Sequence, residues 1–324
     1  MSGSYILRKG HASLGDLTNG YAAQGLGIGN VYRVCASGEA YYNDFVADHG
    51  GTYRDGSEVV HTTIASALAA TVECRNDYVI VQPKNADYDI TTALAMDKKA
   101  VHLICPAGLG YPVGAPNSCR IEQTGAYQII TITAAAVEIA GFYFKNKANK
   151  GGIIFGANSY ASNIHHNRFA MVVSGSTNEP FIGPLIASTG VDYGAYSTVH
   201  HNEIVSTTGA SATIASLIRA EAPATSVTVS YNYLGMGDTN NTATVGIMNQ
   251  SVKGITSYND FYAFQTANGA GVFTHCVHIN AAGVAYGNKG NVADGILMAG
   301  GTDNLSFIEN YNSSGDGGAL DDQQ

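Results

Sequence analysis

The sequence predicts an all-β protein: a right-handed parallel β-helix solenoid with a short amino-terminal cap helix. Three observations support this prediction. Asparagine recurs in one local context, short β-branched runs such as "IITIT" and "TVTVS" alternate with glycine, asparagine and serine, and helical periodicity is nearly absent after residue 75. The predicted divisions are a flexible attachment arm at 1–28, a strand and cap helix at 29–74, the β-helix at 75–312 and a polar tail at 313–324.

The recurring asparagines each follow a short strand-like run and usually precede an aromatic or aliphatic residue. They are Asn146, Asn167, Asn202, Asn232, Asn259, Asn288 and Asn310. The steps between them are 21, 35, 30, 27, 29 and 22 residues. A minimum near 22 suits one coil of three short strands, and the longer steps suit the same coil with an inserted loop. The chain has no Leu-x-x-Leu-x-Leu frame and no tryptophan, which disfavours leucine-rich repeats and propeller blades.

A β-helix explains why asparagine recurs. Successive parallel coils lie about 4.8 Å apart, so a residue in one slot lies above its equivalent in the next coil. Asparagine tolerates the left-handed turn conformation, and its amide can hydrogen-bond along such a stack. The seven asparagines are therefore predicted to form a structural ladder near one edge.

Two of these positions carry a repeated His-His-Asn, in "SNIHHNRF" and "STVHHNEI". Strand alternation predicts that His165 lies above His200 and that His166 lies above His201, on the surface. Four imidazoles in reach of one another could bind a transition metal or titrate near neutral pH. The next two coils, however, carry Ser-Tyr in the same two positions. The favoured interpretation is therefore a repeated structural slot, with no metal and no cofactor.

The amino-terminal end of the stack needs a cover, because an open coil exposes edge strands and core. Residues 62–73, "TTIASALAATVE", place apolar residues such as Ile64 and Leu68 on one stripe at helical spacing. Thr62 or Thr63 can serve as the N-cap. This segment is predicted to be the cap helix. Between "VYRVC" and this helix the sequence predicts polar turns.

Composition excludes several classes of function. The net charge of −9, with scattered basic residues, argues against nucleic-acid binding. No apolar run reaches the roughly 18 residues that cross a membrane, and the amino terminus does not resemble a signal peptide. The five cysteines are an odd count without zinc-site spacing, which predicts small buried thiols in a reducing cytoplasm.

The run "VYRVC", the helix "TIASALAAT", a "D-x-V-I-V-x-P" first coil and a "G-x-x-x-P" turn together resemble the start of right-handed β-helix proteins of the pectin-lyase-like superfold. The resemblance is to the variety encoded among virion structural genes of tailed bacteriophages, and it covers about residues 30–312. It implies a structural protein of a virus particle, assembled in the host cytoplasm and located in the virion. It does not by itself imply an activity, because this fold hosts many functions.

The same superfold includes glycosidases and lyases. Galacturonidase-type relatives carry Asn-Thr-Asp, Asp-Asp, Gly-His-Gly and Arg-Ile-Lys on successive coils, and none of these occurs in the repeat region. Glu203 and Asp260 are the closest carboxylate pair, but Tyr233 fills the slot between them. Two coil steps give nearly 10 Å, beyond the 5–9.5 Å range of glycoside hydrolysis. The sequence leaves open whether three loop carboxylates converge on one site; they are Asp192, Glu221 and Asp238.

The leading expectation is thus a non-enzymatic protein that decorates the head of a phage or forms part of its tail or fibre. Residues 1–28 are expected to mediate association as a homo-oligomer, such as a trimer, or with capsid or tail proteins. The alternative is a tailspike-like receptor-recognition protein that binds or cleaves a glycan, with exposed tyrosines stacking on sugar rings. The tyrosines concerned are Tyr231, Tyr233, Tyr258 and Tyr262. A bacterial surface adhesin is disfavoured.

Overall fold

The computed structural model describes most of the chain between Gly29 and Asn312. The predicted arm at 1–28 and the predicted tail at 313–324 lie outside the described residues. The described residues are 29–109, 119–146, 150–171, 180–184, 193–206, 213–220, 224–236, 242–263, 272–280, 283–291, 297–300, 306–308 and 311–312.

The strands form three parallel sheets of eleven, nine and eight strands, numbered here along the chain. The first sheet contains, in spatial order, β2 (Val60–His61), β1 (Val31–Val34), β3 (Asp77–Val81), β6 (Val101–Ile104), β9 (Glu138–Ala140), β12 (Asn163–His165), β15 (Thr198–His200), β18 (Thr228–Ser230), β21 (Ile255–Ser257), β24 (Val284–Tyr286) and β27 (Ser306–Ile308). The second contains β4 (Tyr88–Ile90), β7 (Cys119–Gln123), β10 (Phe142–Asn146), β13 (Arg168–Met171), β16 (Glu203–Ser206), β19 (Tyr233–Met236), β22 (Asp260–Ala263), β25 (Lys289–Asn291) and β28 (Tyr311–Asn312). The third contains β5 (Leu94–Met96), β8 (Ile130–Ile132), β11 (Ile153–Phe155), β14 (Ile182–Pro184), β17 (Thr213–Ala220), β20 (Thr242–Asn249), β23 (Val272–Asn280) and β26 (Leu297–Gly300).

From β3 to β25, each strand pairs with the strand three positions later in the chain. The chain therefore visits the three sheets in turn, and one repeat contributes one strand to each sheet. This confirms the predicted all-β class with parallel pairing. The three-sheet arrangement also explains the short β-branched runs. Each run forms one short strand that is paired on both sides, where β-branched residues pack well.

The core is built from the same register positions in successive repeats. Ile139, Ile164, Val199 and Val229 pair one after another across the first sheet, and each is at most 1% exposed. Burying an aliphatic side chain of this size contributes about 1.5–3 kcal/mol relative to leaving it exposed. A column of such residues therefore fixes which face of each strand points inward, because a slip of one residue would expose the whole column.

Four of the five cysteines are buried free thiols, as the composition predicts. Cys74 is the exception. It is exposed and has a backbone φ of 61°, in the turn that leads into β3. The expectation of buried thiols is wrong at this position, because the turn directs the side chain away from the core.

Two α-helices precede the long run of strands in the described chain. Helix α1 (Tyr42–His49) has no buried residue, so it carries no apolar stripe, and for this reason the sequence predicted only polar turns there. Helix α2 (Ile64–Ala70) buries Ile64, Ala67 and Leu68. It contacts β1, β3 and β5, as a cap over the first repeat requires. A short 3₁₀-helix covers Pro106–Gly108.

Helix α2 is shorter than the predicted 62–73. It ends at Ala70, and Thr71 is already extended, with its side-chain hydroxyl donating to the Leu68 carbonyl at 2.7 Å. Val72 lies beyond this end and is 46% exposed, so it does not belong to the buried stripe. The helix stops because the Thr71 hydroxyl gives the Leu68 carbonyl a hydrogen-bond donor other than a further helical N–H.

Thr63 is the N-cap of α2, since its side-chain Oγ1 accepts a hydrogen bond from the Ser66 backbone N–H at 3.1 Å. We expect Thr63→Ala to lower the free energy of unfolding by about 1 kcal/mol, the usual cost of losing such a cap. Urea denaturation would measure it. Thr62→Ala is the matched control, because Thr62 is equally exposed and is not the cap. Equal effects of the two substitutions would contradict this assignment.

Candidate functional site: the corner between the first and second sheets

The corner that joins a first-sheet strand to a second-sheet strand carries most of the sequence-predicted positions. It consists of two residues, except that the second of them, Phe142, already begins β10 in the repeat of β9. The first of the two has a positive φ in every described repeat from β9 onward. These φ values are 83° at Gly141, 52° at His166, 53° at His201, 55° at Tyr231, 53° at Tyr258 and 63° at Gly287. The second corner residue is the asparagine in five of these six repeats. The left-handed conformation predicted for the asparagine therefore belongs to the residue before it.

Five asparagines form a continuous hydrogen-bonded row along this corner. They are Asn167, Asn202, Asn232, Asn259 and Asn288. The side-chain Nδ2 of each donates to Oδ1 of the next at 3.2, 3.0, 2.9 and 2.9 Å. The backbone N–H of each donates to the same oxygen at 3.0–3.1 Å. All five are at most 2% exposed, so the row satisfies buried polar groups that have no access to water.

Asn146 does not belong to this row, contrary to the prediction. It ends strand β10, pairs across the second sheet with Met171, and donates from Nδ2 to the Lys150 carbonyl. The equivalent corner residue is Phe142, whose backbone N–H donates to Asn167 Oδ1 at 3.1 Å. The step into Asn167 is therefore 25 residues rather than 21. The other predicted member, Asn310, lies outside the described residues.

The rings at the left-handed corner position stack in one column. The rings of His166, His201, Tyr231 and Tyr258 follow one another at centroid distances of 5.0, 5.1 and 5.1 Å, with interplanar angles of 1°, 17° and 17°. The strand spacing of about 4.8 Å imposes this distance. Tyr231 has a ring against each of its faces, those of His201 and Tyr258, and Tyr258 lies between Tyr231 and Tyr286, which meets it at 5.2 Å and 83°. A sugar ring stacks on an aromatic face, so these two tyrosines are poor candidates for glycan binding.

A second column of two histidines lies beside the first. The His165 and His200 rings stack at 4.9 Å with an interplanar angle of 6°. Within each repeat the two neighbouring imidazoles meet through their Nδ1 atoms, at 2.9 Å between His165 and His166 and at 2.8 Å between His200 and His201. The structure thus places all four histidines in the vertical order that strand alternation predicted.

Two residues that the sequence did not single out, Glu138 and Asn163, contact the outer Nε2 atoms of His165 and His200. Nε2 of His165 contacts Glu138 Oε1 at 2.8 Å, and Nε2 of His200 contacts Asn163 Oδ1 at 3.0 Å. The second carboxylate oxygen of Glu138 contacts His102 Nδ1 at 2.5 Å. Glu138 therefore bridges two histidines that lie two repeats apart. Aligning "NIHH" with the equivalent segments one and two repeats earlier, "VEIA" and "VHLI", would have identified Glu138 and His102.

His102 has oxygen acceptors at both ring nitrogens. Its Nε2 lies 2.7 Å from Asn76 Oδ1, and the ring stacks on Tyr78 at 4.2 Å. The ring is thus held at its edge by Glu138 and Asn76 and on its face by Tyr78.

Burial and neighbouring groups shift the pKa values here in consistent directions. Burial alone would raise the pKa of Glu138, but hydrogen bonds from His102 and His165 outweigh it and lower that pKa to about 2. Burial, together with the charges of the neighbouring histidines, lowers the pKa of His200 to about 4. The same two causes lower the pKa of His166. At neutral pH the column contains a carboxylate and neutral His166 and His200 rings.

The shift at His200 predicts a pH-dependent stability. The unfolded chain protonates this histidine near pH 6.5 and the folded chain only near pH 4, so the free energy of unfolding should fall as pH falls between these values. We expect a loss of about 1–2 kcal/mol, a figure reduced for solvent screening because the ring is partly exposed. Denaturant titrations at pH 7 and pH 4 would measure it.

His200→Ser is the matched variant for this prediction. Serine occupies the same register position in the next two repeats, at Ser230 and Ser257, so the substitution fits the strand. The variant should lose less stability than the parent between pH 7 and pH 4. An identical pH dependence of the two proteins would contradict the assignment to His200.

The carboxylates considered for glycan hydrolysis lie on the second sheet. The paired register positions run from Arg168 through Glu203, Tyr233 and Asp260 to Lys289. Tyr233 thus separates the two carboxylates, and two strand steps place the backbones about 10 Å apart. Burial raises the pKa of Glu203, and Arg168 opposes that shift. The three loop carboxylates lie outside the described residues; they are Asp192, Glu221 and Asp238.

Comparison of the chain with family models, with curated proteins and with solved structures finds no match. Within the described ranges, no group of three or more His, Cys, Asp or Glu side chains is arranged to hold a metal ion. The helices of the described chain are all too short or too polar to cross a membrane. Function must therefore be argued from the sequence motifs and from the geometry of the corner.

Proposed function

We propose that this chain is a right-handed parallel β-helix that serves as a rigid, non-enzymatic structural protein of a virus particle. The observation that supports this best is the row of buried asparagines from Asn167 to Asn288. It ties five successive repeats together through side-chain amides in addition to the strand pairing. A strand order that steps by three through three parallel sheets supports the β-helix, because a coil of three strands produces that order.

The polar groups of the corner support a mechanical role. The Asn167 amide is used internally, by the Ile139 and His165 carbonyls and by Asn202 Oδ1. The Glu138 carboxylate is shared between two histidines. Hydrogen bonds in such chains polarise and strengthen one another. In this proposal the corner stiffens the stack, because these polar groups bond to one another.

The assignment to a virus particle rests on the resemblance to phage-encoded β-helix proteins. In this proposal the β-helix decorates the head or forms part of a tail or fibre. Residues 1–28 attach it to capsid or tail proteins or to sister subunits. This segment combines glycines with apolar residues, including Tyr5, Ile6 and Leu7, which gain order by docking on another chain. It lies outside the described residues, so the proposal for it rests on sequence.

Mass spectrometry of purified particles, together with deletion of residues 1–28, tests this function. The full chain should be found in particles. The truncated chain should remain folded by circular dichroism but fail to enter particles or oligomers. Absence of the full chain from particles would overturn the virion assignment. Release of reducing or unsaturated ends from bacterial surface glycans by the purified protein would overturn the non-enzymatic role.

Glycan binding is the second candidate, and one observation favours it on the second sheet. Tyr233 and Tyr262 are 36% and 39% exposed, and Gly235, which pairs with Tyr262, leaves room beside them. A side-chain carbon added at Gly235 would find its nearest neighbour at an ordinary 3.6 Å. Binding of labelled surface glycans should then fall in Tyr233→Ala and persist in Tyr231→Ala, whose ring is stacked in the corner column. Equal binding by both variants would argue against this face.

A further inference from the structure

We propose that the two histidine pairs of the corner, His165 with His166 and His200 with His201, each bind a divalent transition metal of the Cu²⁺ or Ni²⁺ type through their Nδ1 atoms. This inference goes beyond the structural role proposed above and does not depend on it. From the sequence alone, the Ser-Tyr pairs in the next two repeats favoured a purely structural role for the His-His positions, without a metal. The side-chain geometry within that slot provides the new observation.

The separation of the two donor atoms fits one class of metal. The Nδ1 atoms lie 2.9 Å apart in the first pair and 2.8 Å apart in the second. Metal–imidazole bonds are about 2.0–2.1 Å long. Two such bonds at a right angle place the nitrogens about 2.9 Å apart, whereas a tetrahedral angle requires about 3.3 Å. The observed separation therefore matches the square-planar or tetragonal geometry that Cu²⁺ and Ni²⁺ prefer over Zn²⁺.

The outer partners fix the tautomers of His165 and His200 so that their Nδ1 atoms can accept. Because His165 Nε2 donates to the Glu138 carboxylate and His200 Nε2 donates to Asn163 Oδ1, the neutral form of each ring has an unprotonated Nδ1. This is the arrangement in which a carboxylate or carbonyl fixes the tautomer of a metal-ligating histidine. Glu138 and Asn163 thus act as positioning residues for the two pairs.

Binding requires a change of tautomer but no change of charge. Without metal, one proton lies between the two Nδ1 atoms of each pair, donated by His166 or His201. When the metal accepts both Nδ1 lone pairs, that proton leaves Nδ1 and a proton is taken up from solvent at Nε2 of the same ring. Each imidazole remains neutral, as a metal ligand must be.

The two pairs are expected to hold separate ions. Their rings stack at 4.9 and 5.0 Å, so an ion placed midway between all four nitrogens would lie about 2.8 Å from each, too far for a bond. Each ion would have two protein nitrogens and complete its coordination with water. This agrees with the finding that no three ligand side chains of the described chain converge on one point.

The test is a titration of the purified full chain with Cu²⁺, followed by calorimetry and electron paramagnetic resonance at pH 7.5. We expect up to two ions per chain, with nitrogen hyperfine coupling in the spectrum. Binding should weaken as the solution is made acidic, because protons compete with the metal for the imidazole nitrogens. The thermal midpoint should rise with Cu²⁺, since the ion binds the folded corner.

The matched variant is the double substitution H166Y/H201Y. Tyrosine already occupies this corner position in two later repeats, with φ values of 55° and 53°, so the variant should fold and keep the ring column. We expect its Cu²⁺ affinity to fall at least tenfold and its spectrum to lose the coupling of the second nitrogen, because one imidazole of each pair remains. The control H49A/H61A removes two histidines elsewhere and should bind like the parent. Glu138→Gln should weaken binding up to tenfold while leaving the stoichiometry unchanged.

Unchanged affinity and nitrogen coupling in H166Y/H201Y would overturn the proposal. So would equal losses in H166Y/H201Y and H49A/H61A, because they would indicate adventitious binding by surface imidazoles. Circular dichroism of each variant would verify that it is folded. Incorporation into virus particles is measured separately, so failure of the metal site and failure of the virion role remain distinguishable.

Discussion

Asn232→Leu is expected to lower the free energy of unfolding by about 3–4 kcal/mol. Leucine has a similar shape, so the loss is one of hydrogen bonds rather than of volume. Asn232 Oδ1 accepts from both the backbone N–H and Nδ2 of Asn202 at 3.0 Å, and its own Nδ2 donates to Asn259 Oδ1 at 2.9 Å. Removing it leaves a buried backbone N–H without an acceptor, which costs about 1–3 kcal/mol, and deletes further amide bonds worth roughly 1 kcal/mol each.

The control for this prediction is Asn43→Leu, the same change at an exposed position of helix α1. Surface substitutions of this kind usually alter stability by less than about 0.5 kcal/mol. Urea denaturation monitored by circular dichroism would compare the two variants. A loss below 1 kcal/mol for Asn232→Leu would show that the strand pairing alone holds the repeats together and that the asparagine row contributes little.

Asp77→Ala is expected to cost about 3–5 kcal/mol, the largest effect predicted for this chain. Asp77 starts strand β3 and is fully buried. Its carboxylate accepts from the backbone N–H groups of Asn30 and Val72 at 2.8 and 2.7 Å, and from the Arg75 guanidinium at 2.7 and 2.9 Å. Removing the carboxylate leaves two buried backbone N–H groups without their acceptor and takes the buried partner away from the Arg75 guanidinium.

Asp55→Ala is the matched comparison, because Asp55 contacts the same guanidinium from its exposed side at 2.6 Å. An exposed ion pair contributes little to stability, so this variant should unfold close to the parent. The two thermal or urea midpoints give the comparison directly. Similar losses for both aspartates would contradict the view that Asp77, rather than the surface pair, locks the cap region to the first repeat.

The repeat itself could be predicted from sequence because each corner places asparagine one residue before a second-sheet strand. That rule fails at Asn146, because "GFYFKN" imitates the pattern with an asparagine at the end of the strand. The true corner there is Gly141 followed by Phe142, and only the left-handed φ of the glycine identifies it. A motif based on asparagine alone cannot distinguish the two ends of a short strand.

The histidine site was only partly predictable. Vertical stacking of the two pairs follows from strand alternation. The contacts of Glu138 do not, because they reach 36 residues back to His102 and 27 residues forward to His165. Repeats of unequal length hide such neighbours from linear spacing. The close approach of the Nδ1 atoms depends on the left-handed backbone at His166 and His201, which no hydrophobic period encodes.

The asparagine row has an electrical consequence as well as a mechanical one. From Asn167 to Asn259, each amide directs Nδ2 toward the next asparagine in the row and Oδ1 toward the earlier repeat, where Phe142 N–H meets the first oxygen. Side-chain dipoles aligned in this way add along the stack, as peptide dipoles do in a helix, but with the positive end toward the carboxyl terminus. The two ends of the molecule therefore differ in polarity along this edge. When two copies meet end to end, this dipole favours head-to-tail over head-to-head contact.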